Sequence, residues 1–205
     1  MPVSVAQISK SDAITLKGSA EMIGDFLNYS VNSILYQRLI YPSDNFSRQP
    51  AYGVPVFMIG LEKVKDYIDQ FVSQLKVWLL KKTIQKVVLI ITSLETNEDI
   101  EKWQFKIECN QTADESTSQT SKPLKDIQKE MRDVLRQIVS SVTFLPNLHE
   151  KCMFNILAYT DLDCTVPAAW EDGCEHVIEG AQQVKLKTVN TLLHKVDLEV
   201  CYKTT

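Results

Sequence analysis

Three stretches of the chain carry apolar residues at helical spacing. From about Ser19 to Gln37, the residues Ile23, Phe26, Leu27, Val31, Ile34 and Leu35 fall on one stripe, and Pro42 stops any continuation. Leu61 to about Lys81 is the strongest such pattern. Its stripe is Leu61, Val64, Ile68, Phe71, Val72, Leu75, Trp78 and Leu79, with Glu62, Lys63, Lys65, Asp66 and Lys76 between. A third helix is predicted from Pro123, a residue suited to a first helical position, with Leu124, Ile127, Met131, Leu135 and Ile138 on one face. Arg136 lies nearly opposite that face at about 100° per residue.

The intervening patterns are those of strands. Lys86 to Ser93 is a β-branched run without alternation, which predicts a central strand buried on both faces. Trp103, Phe105, Ile107 and Cys109 alternate with Lys102, Gln104, Lys106 and Glu108, the period of a half-buried strand. Thr96-Asn97-Glu98-Asp99 between the two gives a hairpin connection. Val142 to Leu145 and Cys152 to Thr160 predict two more strands, separated by Pro146-Asn147. Helices and strands do not alternate as parallel βαβ units require. The order points to an α+β fold, an antiparallel sheet with helices grouped on one face.

Two segments break the pattern. Asn110 to Lys122 is dominated by Ser, Thr, Gln and Asp, with nothing apolar larger than Ala113, and a mobile exposed connection is expected. Asp161 to Gln183 holds Pro167, a lone Trp170, Gly173 and Gly180, and follows neither period. An unstructured stretch of that length inside a compact domain is either a misreading of the pattern or functional. Strand-like residues resume at Val184 to Leu193 and Leu198 to Tyr202, so an irregular loop ends in strands that must find a sheet edge.

Composition narrows the function classes. The chain has 205 residues, 22 Lys+Arg against 26 Asp+Glu and a net charge of −4, which gives no electrostatic footprint for nucleic acid or an anionic membrane. The longest purely aliphatic run, Val87 to Ile91, is far short of the ~20 residues that cross a bilayer. The residues from Met1 to Asp12 show no apolar signal core, so the expectation is a reducing compartment with free thiols among the five cysteines. The acceptor patterns at Asn28, Asn45 and Asn110 are then chance matches.

Candidate chemistry is sparse. There is no GxGxxG, GxxxxGK[ST], HExxH, CxxC or Gly-x-Ser-x-Gly. Cys164, Cys174 and His176 could contribute to a metal site but lack the usual ligand spacing. A cysteine nucleophile would need His149, His176 or His194 beside it, and nothing in the sequence selects a pair. The pairs Glu98-Asp99 and Glu171-Asp172 sit in predicted turns as solvated charge. No catalytic residue, cofactor or metal is therefore expected. Trp78 and Trp103 lie on buried faces, whereas Trp170 either packs on the body or anchors a partner.

Several runs in register resemble the HORMA domain family. They are Ile14-Thr15-Leu16-Lys17-Gly18-Ser19, Asn32 to Arg38, Ile40-Tyr41-Pro42-Ser43, Gln85 to Val88, Trp103-Gln104-Phe105, Ile107-Glu108-Cys109, Arg136-Gln137-Ile138, Val142 to Pro146, Tyr159-Thr160-Asp161 and His194-Lys195-Val196. The first of these and the Trp103 run favour the family's spindle-checkpoint branch over its translesion-polymerase adaptor. The resemblance implies one domain over 1–205. It would comprise a flexible N-terminus (1–13), a core (14–161) with three helices on one face of a sheet, and a mobile C-terminal safety belt (162–205). It further implies a non-enzymatic conformational switch of the spindle assembly checkpoint. In that family the belt traps an extended partner peptide against a sheet edge, here Cys152 to Thr160. Phe154, Ile156, Leu157, Tyr159 and Trp78 would face the peptide, with Trp170, Val184, Leu186 and His194 on the belt. An open and a closed copy would pair through Arg136, Gln137 and Phe144. The partners implied are the coiled-coil checkpoint receptor (mitotic arrest deficient one), the WD-repeat activator of the anaphase-promoting complex, a second copy of the chain, and a comet adaptor with an AAA+ remodelling ATPase. The locations implied are nucleus and cytoplasm, and kinetochores in mitosis. The alternative within the family is an adaptor of DNA repair or meiosis with the same mechanics.

Overall fold

A computed structural model of the chain describes residues 14–112, 122–168, 170, 173 and 176–204. The readings placed on 1–13, most of Asn110 to Lys122, Glu171-Asp172 and Cys174 lie outside the described residues.

Helix α1 spans Leu16–Gln37, started by the Thr15 side chain, which accepts from the Gly18 N–H at 3.0 Å. Helix α2, Glu62–Lys81, ends where Lys82 turns left-handed at φ 57°. The two cross closely at Gly24, where a Cβ would stand 2.5 Å from Lys76 Cε. There Lys76 bridges Glu21 at 2.6 Å and Asp25 at 2.8 Å. Helix α3 is Leu124–Ser140.

The hairpin β1 (Phe46–Ala51) and β2 (Val54–Ile59) follows α1 and is absent from the sequence patterns. Its turn is Tyr52-Gly53, both at positive φ (50° and 79°), the geometry that matches strand twist. Its start is polar, and Pro50 pairs with Pro55, so no alternation announces it.

The main sheet contains β3 (Ile84–Ser93), β4 (Asp99–Cys109), β5 (Cys152–Thr160), β6 (Gln182–Asn190) and β7 (His194–Tyr202). Its order is β5-β3-β4-β7-β6, antiparallel throughout. The α+β expectation holds, and β3 is central in character, buried from Val87 to Ile91 on both faces. Trp103, Phe105 and Ile107 of β4 and Val196, Leu198 and Val200 of β7 join the core shared with the helices. β6 and β7 are longer or shifted relative to expectation, since the turn falls at 191–193 and His194 opens β7.

One strand was misread. Val142 to Leu145 begins as a 3-10 turn, Ser141–Thr143, and no strand forms there. The Ser141 hydroxyl donates to Ile138 O at 2.6 Å and Thr143 Oγ1 to Ser140 O at 2.8 Å, which continues the helical sense despite the β-branched side chains.

A buried ion pair fixes the end of α1 to β4. Arg38 Nε lies 2.9 Å from Glu101 Oε2, with the side chains only 4% and 1% exposed. Arg38 Nη2 also donates to Pro146 O at 2.6 Å, and the Trp103 indole donates to Glu101 Oε1 at 2.5 Å.

Candidate functional site

β5 is one end of the sheet, paired to β3 on its inner side only. The Ile156 N–H points outward, to Tyr67 Oη at 3.1 Å and Asn155 Oδ1 at 2.9 Å. Alternation along an antiparallel pair then places the outward main-chain groups at Phe154, Ile156 and Ala158.

From Thr160 the chain must reach β6 at the opposite edge, four strand spacings of about 4.8 Å away. The described residues of this connection are found first on the helical side of β5 and then on its opposite face. The Asp161 N–H donates to Thr83 O at 2.9 Å, and Gln85 Nε2 to Asp161 Oδ1 at 2.7 Å. On the helical side, the Trp170 ring packs edge-on against Trp78 at 5.0 Å and beside Phe71 at 5.9 Å. Gly173 then abuts Leu157, whose Cδ2 would lie 3.2 Å from a Cβ added there. Phe154 and Ile156 face the helices, so Leu157 faces the other side of the sheet. On that side Lys102 Nζ donates to His176 O at 3.0 Å, and His176 Nδ1 lies 2.5 Å from Asp99 Oδ2. Gly180, at φ 67°, turns the chain into β6. Between α2 and the start of this loop is a groove of about 540 Å³, lined by Asp66, Asp69, Gln70, Gln74, Pro167 and Trp170 among others.

The residues singled out in sequence fall into three places. Phe154, Ile156, Leu157 and Tyr159 are on β5, with Lys86 Nζ 4.0 Å above the Tyr159 ring. Trp78 is buried on α2 beneath Trp170. Val184, Leu186 and His194 belong to the far hairpin β6–β7, where Val184 and Leu186 pack on the core. Arg136 is exposed on α3, and Phe144 is 41% exposed with its ring 6.3 Å from Tyr202. Gln137 is engaged within the chain, its Oε1 accepting the Lys187 N–H at 2.7 Å. Glu130 likewise accepts the Asn190 N–H at 2.9 Å, so α3 side chains cover main-chain donors of edge strand β6. Sequence reasoning missed Tyr67 and Asn155, and the one available signal was an aromatic residue standing off the apolar stripe of α2.

His194 holds the hairpin from inside. Its Nε2 faces Leu79 O at 3.1 Å and therefore carries the proton, leaving Nδ1 to accept from the Ser19 hydroxyl at 2.7 Å. Burial pushes its pKa below the ordinary 6.5, although the bond to Leu79 works the other way. The folded state therefore binds fewer protons here than the unfolded state. The stabilisation is complete above about pH 6.5 and is lost as pH falls below it, through the lower folded value. Denaturant unfolding at about pH 7.5 and 5.5 is expected to show a loss of stability at the acid end. His194→Asn is expected to be less stable at the upper pH and to show a smaller acid loss.

The described cysteines do not form the arrangement a nucleophile needs. Burial raises the Cys109 thiol to about 11 and also raises Cys152 and Cys201, which disfavours thiolate. Cys164 contacts Thr83 Oγ1 at 3.3 Å, away from the His176–Asp99 contact, and no group of three or more metal-ligating side chains occurs among the described residues.

A sheet edge that pairs with no further strand, with residues of the chain's own connection packed on both of its faces, is the geometry of a strand-accepting module. Residues 19–194 match the family model for the HORMA domain, and the chain belongs to that family. Among its relatives it is 44% identical over 198 residues to the human mitotic spindle assembly checkpoint protein MAD2A, covering 96% of each chain. It superposes on a chain in a crystal structure of the mitotic checkpoint complex with a TM-score of 0.82 and 40% identity, covering 91% of this chain and 99% of that one. A Caenorhabditis elegans HTP-2 structure, bound to a HIM-3 closure motif, shares the fold at TM-score 0.77 and 15% identity, with full coverage of both chains.

Proposed function

We propose that this chain is a non-catalytic conformational switch of the spindle assembly checkpoint that captures an extended partner peptide along β5. The observation that carries the reading is the unpaired outer edge of β5 inside the loop of segment 161–181. A strand added there gains main-chain hydrogen bonds at Phe154, Ile156 and Ala158, and side-chain selection from the residues on either face of the edge. Because the loop runs from one side of the edge to the other, a threaded peptide leaves only when the loop opens, which slows dissociation. Residues 162–205 then act as the belt and 14–161 as the core.

We read this arrangement as the closed form, on the ground that the β6–β7 hairpin lies on β4 and leaves the outer side of β5 without a strand. In the alternative open form, that hairpin covers β5 instead. Both forms place strand residues on a sheet edge, so they lie within a few kcal/mol of each other.

The clients proposed are the coiled-coil checkpoint receptor and the WD-repeat activator of the anaphase-promoting complex, whose capture delays anaphase. The sites of action are nucleus, cytoplasm and mitotic kinetochores, with a comet adaptor and AAA+ ATPase reopening the belt. Overlapping synthetic peptides covering the receptor and the activator test the reading by fluorescence anisotropy. One segment from each is expected to bind with slow release. Absence of binding across both series would overturn it.

Self-association is assigned to α3. Arg136→Ala is expected to weaken the dimer by more than ~2 kcal/mol while peptide affinity is retained, as measured by light scattering and anisotropy. A dimer that survives the substitution removes Arg136 from the interface.

A further inference from the structure

We infer that Tyr67 is a placeholder on the capture edge, holding the central outward N–H of β5 until a peptide carbonyl replaces it. This rests on the strand-addition reading and specifies how that edge is regulated.

Ile156 lies at the middle of β5, and its N–H is turned away from β3, so an incoming strand centred on the edge would meet it. The Tyr67 hydroxyl accepts from it at 3.1 Å and donates to Asn155 Oδ1 at 3.0 Å. The Asn155 oxygen itself lies 2.9 Å from the same N–H. The Tyr67 ring is held over the edge by Phe154, at 5.9 Å and 67°, and Phe154 in turn meets Tyr41 at 6.2 Å. The hydroxyl is thus aimed by an aromatic cluster, on a side chain 40% exposed and able to swing outward.

Such a contact has two consequences. It satisfies an edge donor that would otherwise invite pairing with another chain. It also sets a toll on capture, because pairing across Ile156 first breaks the tyrosine bond. A peptide that supplies a carbonyl at that position exchanges one hydrogen bond for another. A peptide with proline carbonyls displaced from register, or pairing only beyond Ala158, leaves the tyrosine in place and gains no central bond.

The test uses the full chain and Tyr67→Phe, which keeps the ring against Phe154 and removes only the hydroxyl. With the receptor peptide that binds the wild type, the variant is expected to bind about fivefold more tightly, mostly through faster association, since one net hydrogen bond of the free state is lost. Asn155→Ala is expected to shift affinity in the same direction. Equal or weaker binding by Tyr67→Phe overturns the inference, although wild-type binding would still uphold strand capture. A second arm needs no peptide. In the free protein the Ile156 amide is expected to exchange more slowly than the outward amides of Phe154 and Ala158, to lose part of that protection in Tyr67→Phe, and to lose the rest when Asn155→Ala is added. Equal exchange at the three positions in the wild type overturns the placeholder whatever the peptide does.

Discussion

Arg38→Ala is expected to lower the unfolding free energy by about 3–5 kcal/mol. The guanidinium and the Glu101 carboxylate are 2.9 Å apart and almost wholly excluded from water. Burial pushes the Glu101 carboxyl up, opposed by Arg38 and by the Trp103 indole. Removing Arg38 leaves that carboxyl facing its desolvation cost with one donor in place of two, and it also deprives Pro146 O of a partner. The loss reaches the β6–β7 hairpin as well, because Glu101 is the β4 residue opposite Tyr202 at the end of β7. Arg38→Met with Glu101→Leu is expected to be far less damaging than the two single losses summed, since no buried charge is left alone. Urea unfolding of the four proteins in the cycle measures the coupling. An additive cycle contradicts the argument.

Trp170→Ala is expected to accelerate release of a captured peptide roughly 30-fold or more, corresponding to at least ~2 kcal/mol. The ring closes the helical side of the loop, stacking edge-on to Trp78 and tilted beside Phe71, and it forms one wall of the groove. Without it the start of segment 161–181 keeps, among the described residues, the polar tethers at Asp161 and Cys164. The far side, held at His176 by Asp99 and Lys102, stays fastened. Peptide should therefore still bind, but with a short residence. Trp170→Phe is expected to fall between the two. Dissociation from immobilised peptide reads the effect directly, and an unchanged off-rate shows that the ring does not hold the loop shut.

What the sequence made legible follows from where regular burial operates. The helices were readable because Ile68, Phe71, Leu75 and Leu79, for example, bury one continuous face. β3 was readable as an unbroken buried run and β4 by its alternation, and Asp161 to Gln183 stood out because it follows neither period. The β1–β2 hairpin was not readable, because Ser47, Arg48 and Gln49 are polar and exposed on both faces of β1 and the prolines pair across the turn. Val142 to Leu145 misled because local hydroxyl bonds outweighed β-branched propensity. The proposed capture edge came from the strand pattern and the family resemblance together. Tyr67 and the His176–Asp99 contact needed coordinates, since each joins residues on elements far apart in sequence with no shared period. Gln137 shows the converse. The resemblance assigned it to the dimer, yet here its side chain is occupied by β6.

Residue-resolved amide exchange along β5, with and without the bound receptor peptide, tests strand capture most directly. Phe154 and Ala158 are expected to gain strong protection and Ile156 a smaller increment, because Tyr67 already covers it. Asn155 and Leu157, which face β3, should change little. Protection that falls elsewhere, or evenly on both sets of amides, would contradict capture on this edge.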